Sequence, residues 1–123
     1  MYHKIGNKNF ALLSRMLDLH ASRGKVIAAN IANVNTPNYQ RRSFEFDSAL
    51  RHAMSKGTSA EYNKIQGWVE RPNNTPVRNN GNNVDIEQEM VALRENATAY
   101  EVYSTLYSQK SQMIHAAIRG QAS

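Results

Sequence analysis

A chain of 123 residues with 41% hydrophobic and 8% aromatic residues is long enough for one domain with a modest core. It contains no cysteine, which excludes disulfide frameworks and thiolate metal sites, and it has no apolar run of about 18 residues that could span a membrane. The net charge of +5 is uneven, because residues 1–60 hold nine Lys/Arg against three Asp/Glu, whereas residues 61–123 hold six against seven. The basic half can attract the acidic half within or between subunits, and it also suits an acidic partner such as nucleic acid or anionic lipid.

Residues 1–36 form the first predicted region, which is dominated by one long amphipathic helix. Asn7 or Asn9 is expected to cap it, and Pro37 must end it because the residue before a proline is pushed away from helical torsions. Gly24 marks a close approach of another helix, a bend, or simply a weak point in this one. The apolar seam follows alternating steps of three and four, the spacing of a coiled-coil stripe. It comprises Phe10, Leu13, Leu17, His20, Gly24, Ile27, Ile31 and Val34, and it is widened by Leu12, Met16, Leu19 and Val26.

Residues 37–84 form the second region, a turn motif followed by a middle segment rich in Asn and interrupted by Pro and Gly. Its composition predicts an irregular segment that holds little core of its own and can stay partly disordered until a partner surface orders it. Alternation in Ser43–Asp47 favours a short strand, and Ala49–Met54 can form a helical turn. Trp68 and Val69 either pack or form a second strand. The stretches 55–59, 73–76 and 79–83 are typical of linkers and loops.

Residues 85–123 form the third region, a second long helix. Asp85 is the expected N-cap, with Gln88 at capping-box spacing, and Glu87 and Glu89 complement the positive end of the helix. Its apolar seam again alternates steps of four and three, and a second apolar stripe runs beside it. The seam comprises Ile86, Met90, Leu93, Ala97, Tyr100, Ser104, Tyr107, Ser111, Ile114 and Ile118, and the second stripe comprises Ala99, Val102, Leu106, Met113 and Ala117.

These patterns predict a mainly α fold in which long N- and C-terminal helices pack as a coiled-coil-like pair, with a small irregular or β-containing middle segment. A helix with two apolar stripes cannot bury both against one partner helix, so we expect the surplus to pack on other subunits. The alternative is a simple helical hairpin with a frayed end. The positions expected to make assembly contacts are Leu13, Leu17, Ile27, Ile31, Met90, Leu93, Tyr100, Leu106, Tyr107, Ile114 and Ile118.

The turn motif after the first helix is predicted to be a fixed elbow. Pro37 restricts its own φ to about −65°, and Asn38 is the residue best able to adopt left-handed torsions. Tyr39 is expected to anchor the chain as it leaves. The elbow comprises Asn30, Asn33, Thr36, Pro37, Asn38 and Tyr39. A second turn precedes the last helix, where Gly81 is expected to need a positive φ and Asp85 to cap the helix.

No group of side chains predicts catalysis. The four histidines are dispersed along the chain, and no two of them have the spacing of metal ligands with a third ligand nearby. His20 is best interpreted as a partly buried helix residue. The acidic start of the last helix explains Asp85, Glu87 and Glu89 more simply than acid–base chemistry does. The loop 79–85 lacks the carboxylates of a calcium site. We therefore expect no catalytic residue, no cofactor, no metal and no small-molecule substrate.

Two motifs, one near each end of the chain, resemble the axial proteins of the bacterial flagellar rod and hook. Ala28–Tyr39 is similar to the family run Ala-Asn-x-Ala-Asn-x-x-Thr-x-Gly-Tyr, with Asn38 where the family usually has Gly. Gly81–Met90 and the ending Ala116–Gly120 are similar to the short proximal-rod members, and the first of these runs favours one proximal-rod member over its nearest relative. The chain length agrees, because distal-rod and hook members carry large inserted domains.

The resemblance implies a structural protein that assembles with other copies and with other rod proteins into the proximal part of the periplasmic rod, the drive shaft that transmits torque from the motor towards the hook. It also implies contact with an adaptor basal-body protein at the inner-membrane ring and export gate. Export would use the flagellar type III apparatus without a cleaved signal peptide, in agreement with the lack of an apolar signal run in residues 1–13.

Two other functions compete with this interpretation. The first is a basic helical protein that binds nucleic acid or a membrane surface, although no aromatic platform or compact Lys/Arg run accompanies the charge. The second is an ordinary helical enzyme, which the missing site chemistry disfavours. The resemblance itself implies no nucleic-acid partner.

Overall fold

The structure is a computed structural model that describes the backbone of residues 2–122 and the side chains of residues 8–120. In chain order its elements are α1 (Tyr2–Ala32), β1 (Ser43–Glu45), α2 (Asp47–Lys56), α3 (Ser59–Asn63), β2 (Trp68–Glu70) and α4 (Ile86–Ala122). The predicted fold class, mainly α with two long terminal helices and a small β-containing middle, is confirmed. None of the helices in the described part is long and apolar enough to cross a membrane.

The long helices α1 and α4 pack side by side in opposite directions. Phe10 lies against Tyr107, with ring centroids 5.0 Å apart, whereas His20 lies against Asn96. The helices come close at Gly24, where an added Cβ would lie 3.2 Å from Nδ2 of Asn96. Gly24 is therefore a position of close helix approach, one of the three roles that its sequence context allows.

The start of α1 differs from the sequence prediction. The helix begins at Tyr2, so the N-cap expected at Asn7 or Asn9 is wrong. Asn inside a helix costs less than about 1 kcal/mol relative to Ala. Once the rest of a helix is fixed by packing, adding residues at its end needs no new nucleation. The helix therefore continues through both asparagines.

The largest cluster of buried apolar side chains lies between α1 and the middle segment. On α1 it uses Met16 and Leu19, which are each 3% exposed and therefore more buried than Ile27 of the predicted seam at 6%. The middle segment obtains from α1 the partner surface that its composition requires. The buried members of the cluster are Met16, Leu19, Phe46, Ala53, Tyr62 and Ile65.

The middle segment contains more regular structure than its composition suggests. The predicted strands at 43–47 and 68–69 form β1 and β2, which pair antiparallel in a two-stranded sheet. The helical turn expected at 49–54 extends to the ten residues of α2, which ends at Gly57 with a φ of 69°. The sequence prediction missed α3, because five residues are too few to show a helical period.

The face of α4 that contacts α1 lies between the two predicted apolar stripes. Glu89, Asn96 and Tyr103 are buried or half-buried on this face, and at about 100° per residue the seam and the second stripe fall on either side of it. Large apolar side chains therefore stay 36–55% exposed on both flanks of α4. They are Ile86, Met90, Tyr100, Tyr107 and Ile118 from the seam, and Val102, Leu106 and Met113 from the second stripe.

Candidate functional site

The two predicted turns, the elbow at residues 30–39 and the turn at residues 78–85, lie side by side where α1 ends and α4 begins. We call this pair of turns the junction. Asn82 joins them, because its Nδ2 donates to the carbonyl oxygens of Asn33 and Thr36, both at 2.8 Å. Its Oδ1 accepts from the backbone N–H two residues later at 2.8 Å. With 0% of its surface exposed, this one amide closes the end of α1 against the start of α4.

Two residues with left-handed backbone torsions face each other in the junction. Asn38 has a φ of 62° and is the one non-glycine residue with positive φ in the described part of the chain, as the elbow prediction requires. Its N–H donates to the carbonyl oxygen of Asn80 at 2.8 Å. Gly81 has a φ of 82°, and a Cβ there would lie 2.2 Å from Oδ1 of Asn38. Glycine at position 81 therefore provides both the torsion and the room for the Asn38 side chain.

Asn30 fixes the chain as it leaves the elbow. Its Nδ2 donates to the carbonyl oxygen of Arg42 at 2.7 Å, and its Oδ1 accepts from the backbone N–H of Arg42 at 2.9 Å. The hydroxyl of Tyr39 donates to the same Oδ1 at 3.2 Å. Asn30 is 0% exposed, so every polar atom of its side chain is satisfied inside the protein. This arrangement sets the direction in which the chain approaches β1.

The outer side of the junction is held by exposed and half-buried groups. Nδ2 of Asn33 donates to the carbonyl oxygen one helical turn earlier at 2.8 Å, and its Oδ1 accepts from the hydroxyl of Thr36 at 3.0 Å. The guanidinium of Arg78 donates to the carbonyl oxygens of Val34 and Val84, on either side of the junction. Pro37 is exposed at the tip of the elbow.

A buried ion pair connects the junction to α4. Nε of Arg41 lies 2.7 Å from Oε1 of Glu89, and the two side chains are 9% and 0% exposed. Arg41 also donates to Oδ1 of Asn74 at 3.2 Å, and its backbone N–H donates to Oδ1 of Asn83 at 2.6 Å. The second carboxylate oxygen of Glu89, Oε2, is buried without a hydrogen-bond partner among the described residues. Glu89 is thus an interior residue, whereas its place in the first turn of α4 predicts a surface charge beside Glu87.

Asp85 caps the start of α4. Its Oδ1 accepts from the backbone N–H groups of Glu87 at 3.0 Å and Gln88 at 3.3 Å, and its carbonyl accepts the first helical hydrogen bond from Glu89 at 3.0 Å. Within the described part, the Gln88 side chain makes no return bond to the cap, so only half of the capping box forms. The cap fixes where α4 begins relative to the junction.

A polar contact crosses the interface between α1 and α4. His20 Nδ1 lies 2.8 Å from Oδ1 of Asn96, and Nδ2 of Asn96 donates to the carbonyl oxygen of His20 at 2.8 Å. With the amide in this orientation its oxygen can only accept, so Nδ1 of His20 carries the proton. The imidazole stacks on Tyr103 at 5.4 Å and meets the ring of Phe46 edge-on at 5.3 Å. Among the described residues no group of three His, Asp or Glu could hold a metal ion, and His20 acts as a packing residue here.

The structure places the predicted seam positions in two classes. Ile27 is buried, and Leu13, Leu17, Ile31, Leu93 and Ile114 are half-buried. The remaining positions are exposed in the single chain, although the ring of Tyr107 keeps its edge contact with Phe10. The exposed positions are Met90, Tyr100, Leu106, Tyr107 and Ile118.

Sequence reasoning missed several polar residues on which the site depends. Asn96 carried a usable signal. It lies three residues after Leu93, so it is on nearly the same side of the helix, and there it is a polar residue within an apolar pattern. Asn82 lies in a loop that the sequence identified, but its composition does not show that it is buried. Arg41 carried no local signal, since nothing in its neighbourhood distinguishes an arginine that meets Glu89 from one that faces solvent.

The elbow torsion makes a prediction about position 38. Asn38→Gly should change the free energy of unfolding by less than about 1 kcal/mol, because glycine adopts positive φ without strain but gives the unfolded chain more freedom. Asn38→Val should lower it by about 1–3 kcal/mol, since a β-branched residue is strained at this φ. Urea unfolding followed by circular dichroism measures both changes. Asn35→Val, at an exposed position of the same turn, is the matched control, and an equal loss in both valine variants would contradict the proposed torsional cause.

Comparisons with known proteins agree with the sequence resemblance. A family model described as flagella basal body rod protein matches residues 17–40, which contain the second half of α1 and the elbow. The chain is 29% identical to the flagellar basal body rod protein FlgB of Borrelia hermsii, over 88% of this chain and 93% of that protein. It is 31% identical to FlgB of Escherichia coli K12, over 70% and 75%. It is 30% identical to FlgB of Aquifex aeolicus, over 90% and 93%.

Proposed function

We infer the function from the family, because this chain belongs to the FlgB family of flagellar basal body rod proteins. It is a component of the flagellar basal body, in the rod. The comparisons give no support to the alternative of a basic helical protein that binds nucleic acid or membrane surfaces. Beyond this family assignment, we propose that the chain is a structural subunit rather than an enzyme, and that it assembles with other copies and with other rod proteins in the proximal rod.

The observation that carries the assembly proposal is the pair of exposed apolar flanks on α4. Burial against α1 uses only the face between them, so Tyr100 on one flank and Leu106 on the other are each 43% exposed. Fully burying a side chain of this size contributes about 1.5–3 kcal/mol, and several such side chains lie on each flank. Large apolar side chains exposed in a row along one flank of a helix are typical of an interaction site. Two flanks offer one surface to each of two neighbouring subunits.

The junction has a different role in the same proposal. A rod that transmits torque needs subunits that do not bend between their long helices and their outer parts. Asn30 and Asn82 join α1, the middle segment and the start of α4 by hydrogen bonds, and neither amide is exposed. We propose that the junction fixes the angle between the helical pair and the middle segment, so that a load on one part is carried to the other.

The placement of the three regions follows from the same reasoning. We propose that the helices within residues 1–36 and 85–123 line the rod and that residues 37–84 face outwards. We further propose a periplasmic location, export by the flagellar type III apparatus, and contact between the first subunits of the rod and an adaptor basal-body protein near the export gate. These proposals rest on the family resemblance.

Charge placed on the flanks of α4 tests the assembly proposal. Leu106→Asp and Tyr100→Asp should leave the isolated chain folded at a cost of about 1–2 kcal/mol, because each side chain is already 43% exposed and loses only part of its burial and some helix propensity. In the assembled rod each would bury an unpaired carboxylate at a cost of several kcal/mol. We expect swimming in soft agar to be lost and basal bodies without a rod to be recovered.

The matched control is Thr105→Asp, an exposed position on the side of α4 that faces away from α1 and from both flanks. It adds the same charge to the same helix and should swim normally. Wild-type swimming by both flank variants would show that these surfaces are not assembly contacts. Thermal melting of the purified chains separates a loss of assembly from a loss of folding.

A further inference from the structure

A cleft of about 410 Å³ opens between α1, β1 and α4, beside the junction. Its inner wall includes Glu89, which is 0% exposed and whose Oε2 has no hydrogen-bond partner among the described residues. Its rim includes Glu95, an exposed residue that forms no ion pair in the described part of the chain. A buried carboxylate oxygen without a hydrogen-bond partner is unfavourable, because it has lost its hydration without a replacement. This oxygen therefore lacks a hydrogen-bond donor.

Two of the three arginines that line the cleft are already engaged, whereas the third, Arg42, is exposed and has its guanidinium carbon 5.9 Å from the centroid of the Tyr39 ring. Arg41 pairs with Glu89 through its Nε. Arg23 donates to the carbonyl oxygen of Phe44 at 2.9 Å and lies over the ring of Phe46 at 4.1 Å. Its guanidinium also lies 4.0 Å from the carboxylate of Glu45 and 3.8 Å from that of Asp47. None of the three guanidiniums donates a hydrogen bond to the free oxygen of Glu89. The unmet demand in the cleft is therefore for an N–H donor that reaches this oxygen.

Two other kinds of occupant fit less well. A metal ion needs three or more suitable ligands, and no such group occurs among the described residues. An anion would meet the carboxylates of Glu89 and Glu95, and two of the three arginines that could attract it, Arg23 and Arg41, are already bonded. A cation with N–H groups can donate to Oε2 of Glu89 and is attracted by the charge of Glu95 at the rim.

We propose that the cleft receives a cationic side chain, the ammonium of a lysine or the guanidinium of an arginine, from a neighbouring subunit. Its N–H groups donate to Oε2 of Glu89, and the charge of Glu95 at the rim attracts it. That the donor is a neighbouring subunit rests on the proposed function. The position of Glu95 supports a neighbouring subunit as the donor. Val102 lies two helical turns after Glu95 and Leu106 lies three turns after it, so the rim of the cleft continues into one exposed flank of α4.

Copies of this chain can supply the cation. The chain carries a net charge of +5, and several exposed basic residues form no ion pair within the described part. They include Lys25, Arg51, Arg71 and Arg94. An acidic cleft on one subunit and unpaired basic side chains on the next are electrostatically complementary.

The site is tested on the full-length chain with agmatine, a small guanidinium compound that carries no carboxylate. Agmatine at millimolar concentration should produce saturable shifts in the backbone amide resonances around Ala92 and Asn96. Glu95→Gln should weaken its binding by roughly threefold, as expected for one exposed pair, and Glu89→Gln should abolish it. Glu101→Gln, an exposed change on the far side of the same helix, should bind like the wild type. Sodium chloride at equal ionic strength and inorganic phosphate should produce no such shifts.

The possible results separate the proposal from its rivals. Absence of a saturable agmatine shift means that water alone serves Glu89, and phosphate binding at the same residues means an anion site; either overturns the proposal. If agmatine binds but Glu95→Gln swims as well as Glu101→Gln, the cleft takes a free cation and the assignment to a neighbouring subunit is wrong. If Leu106→Asp swims like the wild type, the proposed assembly surface is wrong. That result would not change agmatine binding to the cleft.

Discussion

Replacing Asn82 by Ala is expected to lower the free energy of unfolding by roughly 3 kcal/mol. The side chain is 0% exposed and makes three hydrogen bonds, to the carbonyl oxygens of Asn33 and Thr36 and from the backbone N–H of Val84. Each buried backbone group that loses its partner costs about 1–3 kcal/mol, and water entering the vacated space recovers part of this. Urea unfolding at neutral pH, followed by circular dichroism, gives the difference.

Two further variants show whether the hydrogen bonds are the cause. Asn79→Ala removes an exposed amide from the same loop, where its side chain forms no hydrogen bond with any described residue, and should change stability by less than about 0.5 kcal/mol. Asn82→Asp keeps the acceptor for Val84 but presents a carboxylate to two carbonyl oxygens, so it should be at least as harmful as alanine. If Asn82→Ala costs less than about 1 kcal/mol, or if Asn79→Ala costs as much, Asn82 does not hold the junction together.

The features that the sequence predicted correctly are those decided by neighbouring residues. The left-handed torsion at Asn38 follows from the side chain that tolerates it and from the proline before it. The start of α4 follows from a carboxylate placed to accept from the first free N–H groups of the helix, as Asp85 does. The two long helices follow from an apolar period sustained over many turns. None of these depends on residues distant in the sequence.

The features that the sequence did not predict depend on distant partners. Periodicity placed the seam of α4 along its apolar residues, but the contacted face is centred on Glu89 and Asn96, whose partners Arg41 and His20 lie elsewhere in the chain. A polar residue is buried when a complementary group is positioned opposite it, and a single sequence does not show that position. The composition of the core was not predicted for the same reason, since Met16 on α1 is buried by side chains of the middle segment.

This difference also explains why apolar surface is left over. Because the polar residues Glu89 and Asn96 occupy the centre of the face by which α4 contacts α1, the apolar stripes are displaced to its two sides, where Leu106 and Tyr100 remain exposed. An apolar centre would bury those stripes within one chain and leave little for a neighbour. The polar interface inside the subunit and the apolar surface outside it are thus two consequences of one arrangement. In a rod subunit that arrangement separates the contacts that fold the chain from those proposed to assemble it.

The second large effect is expected at the buried ion pair. Arg41→Met alone or Glu89→Met alone should each lower the free energy of unfolding by about 3–5 kcal/mol, because each leaves an uncompensated charge in the interior. The double variant should lose much less than the sum, since replacing both members by apolar side chains of similar volume is often neutral. The coupling is the sum of the two single losses minus the loss of the double variant. Urea unfolding of the four proteins completes the cycle.

Lys64→Met provides the matched control for this cycle. Lys64 pairs with Glu61 at 3.9 Å, but 72% of its side chain is exposed, so its loss should cost no more than about 1 kcal/mol. A coupling below about 1 kcal/mol between Arg41 and Glu89 would show that the pair is not isolated from solvent and that the wall of the cleft beside it is open. A large coupling would mean that the arginine is committed to Oε1 of Glu89, as the structure shows. In that case the second carboxylate oxygen remains free to accept a donor from another molecule.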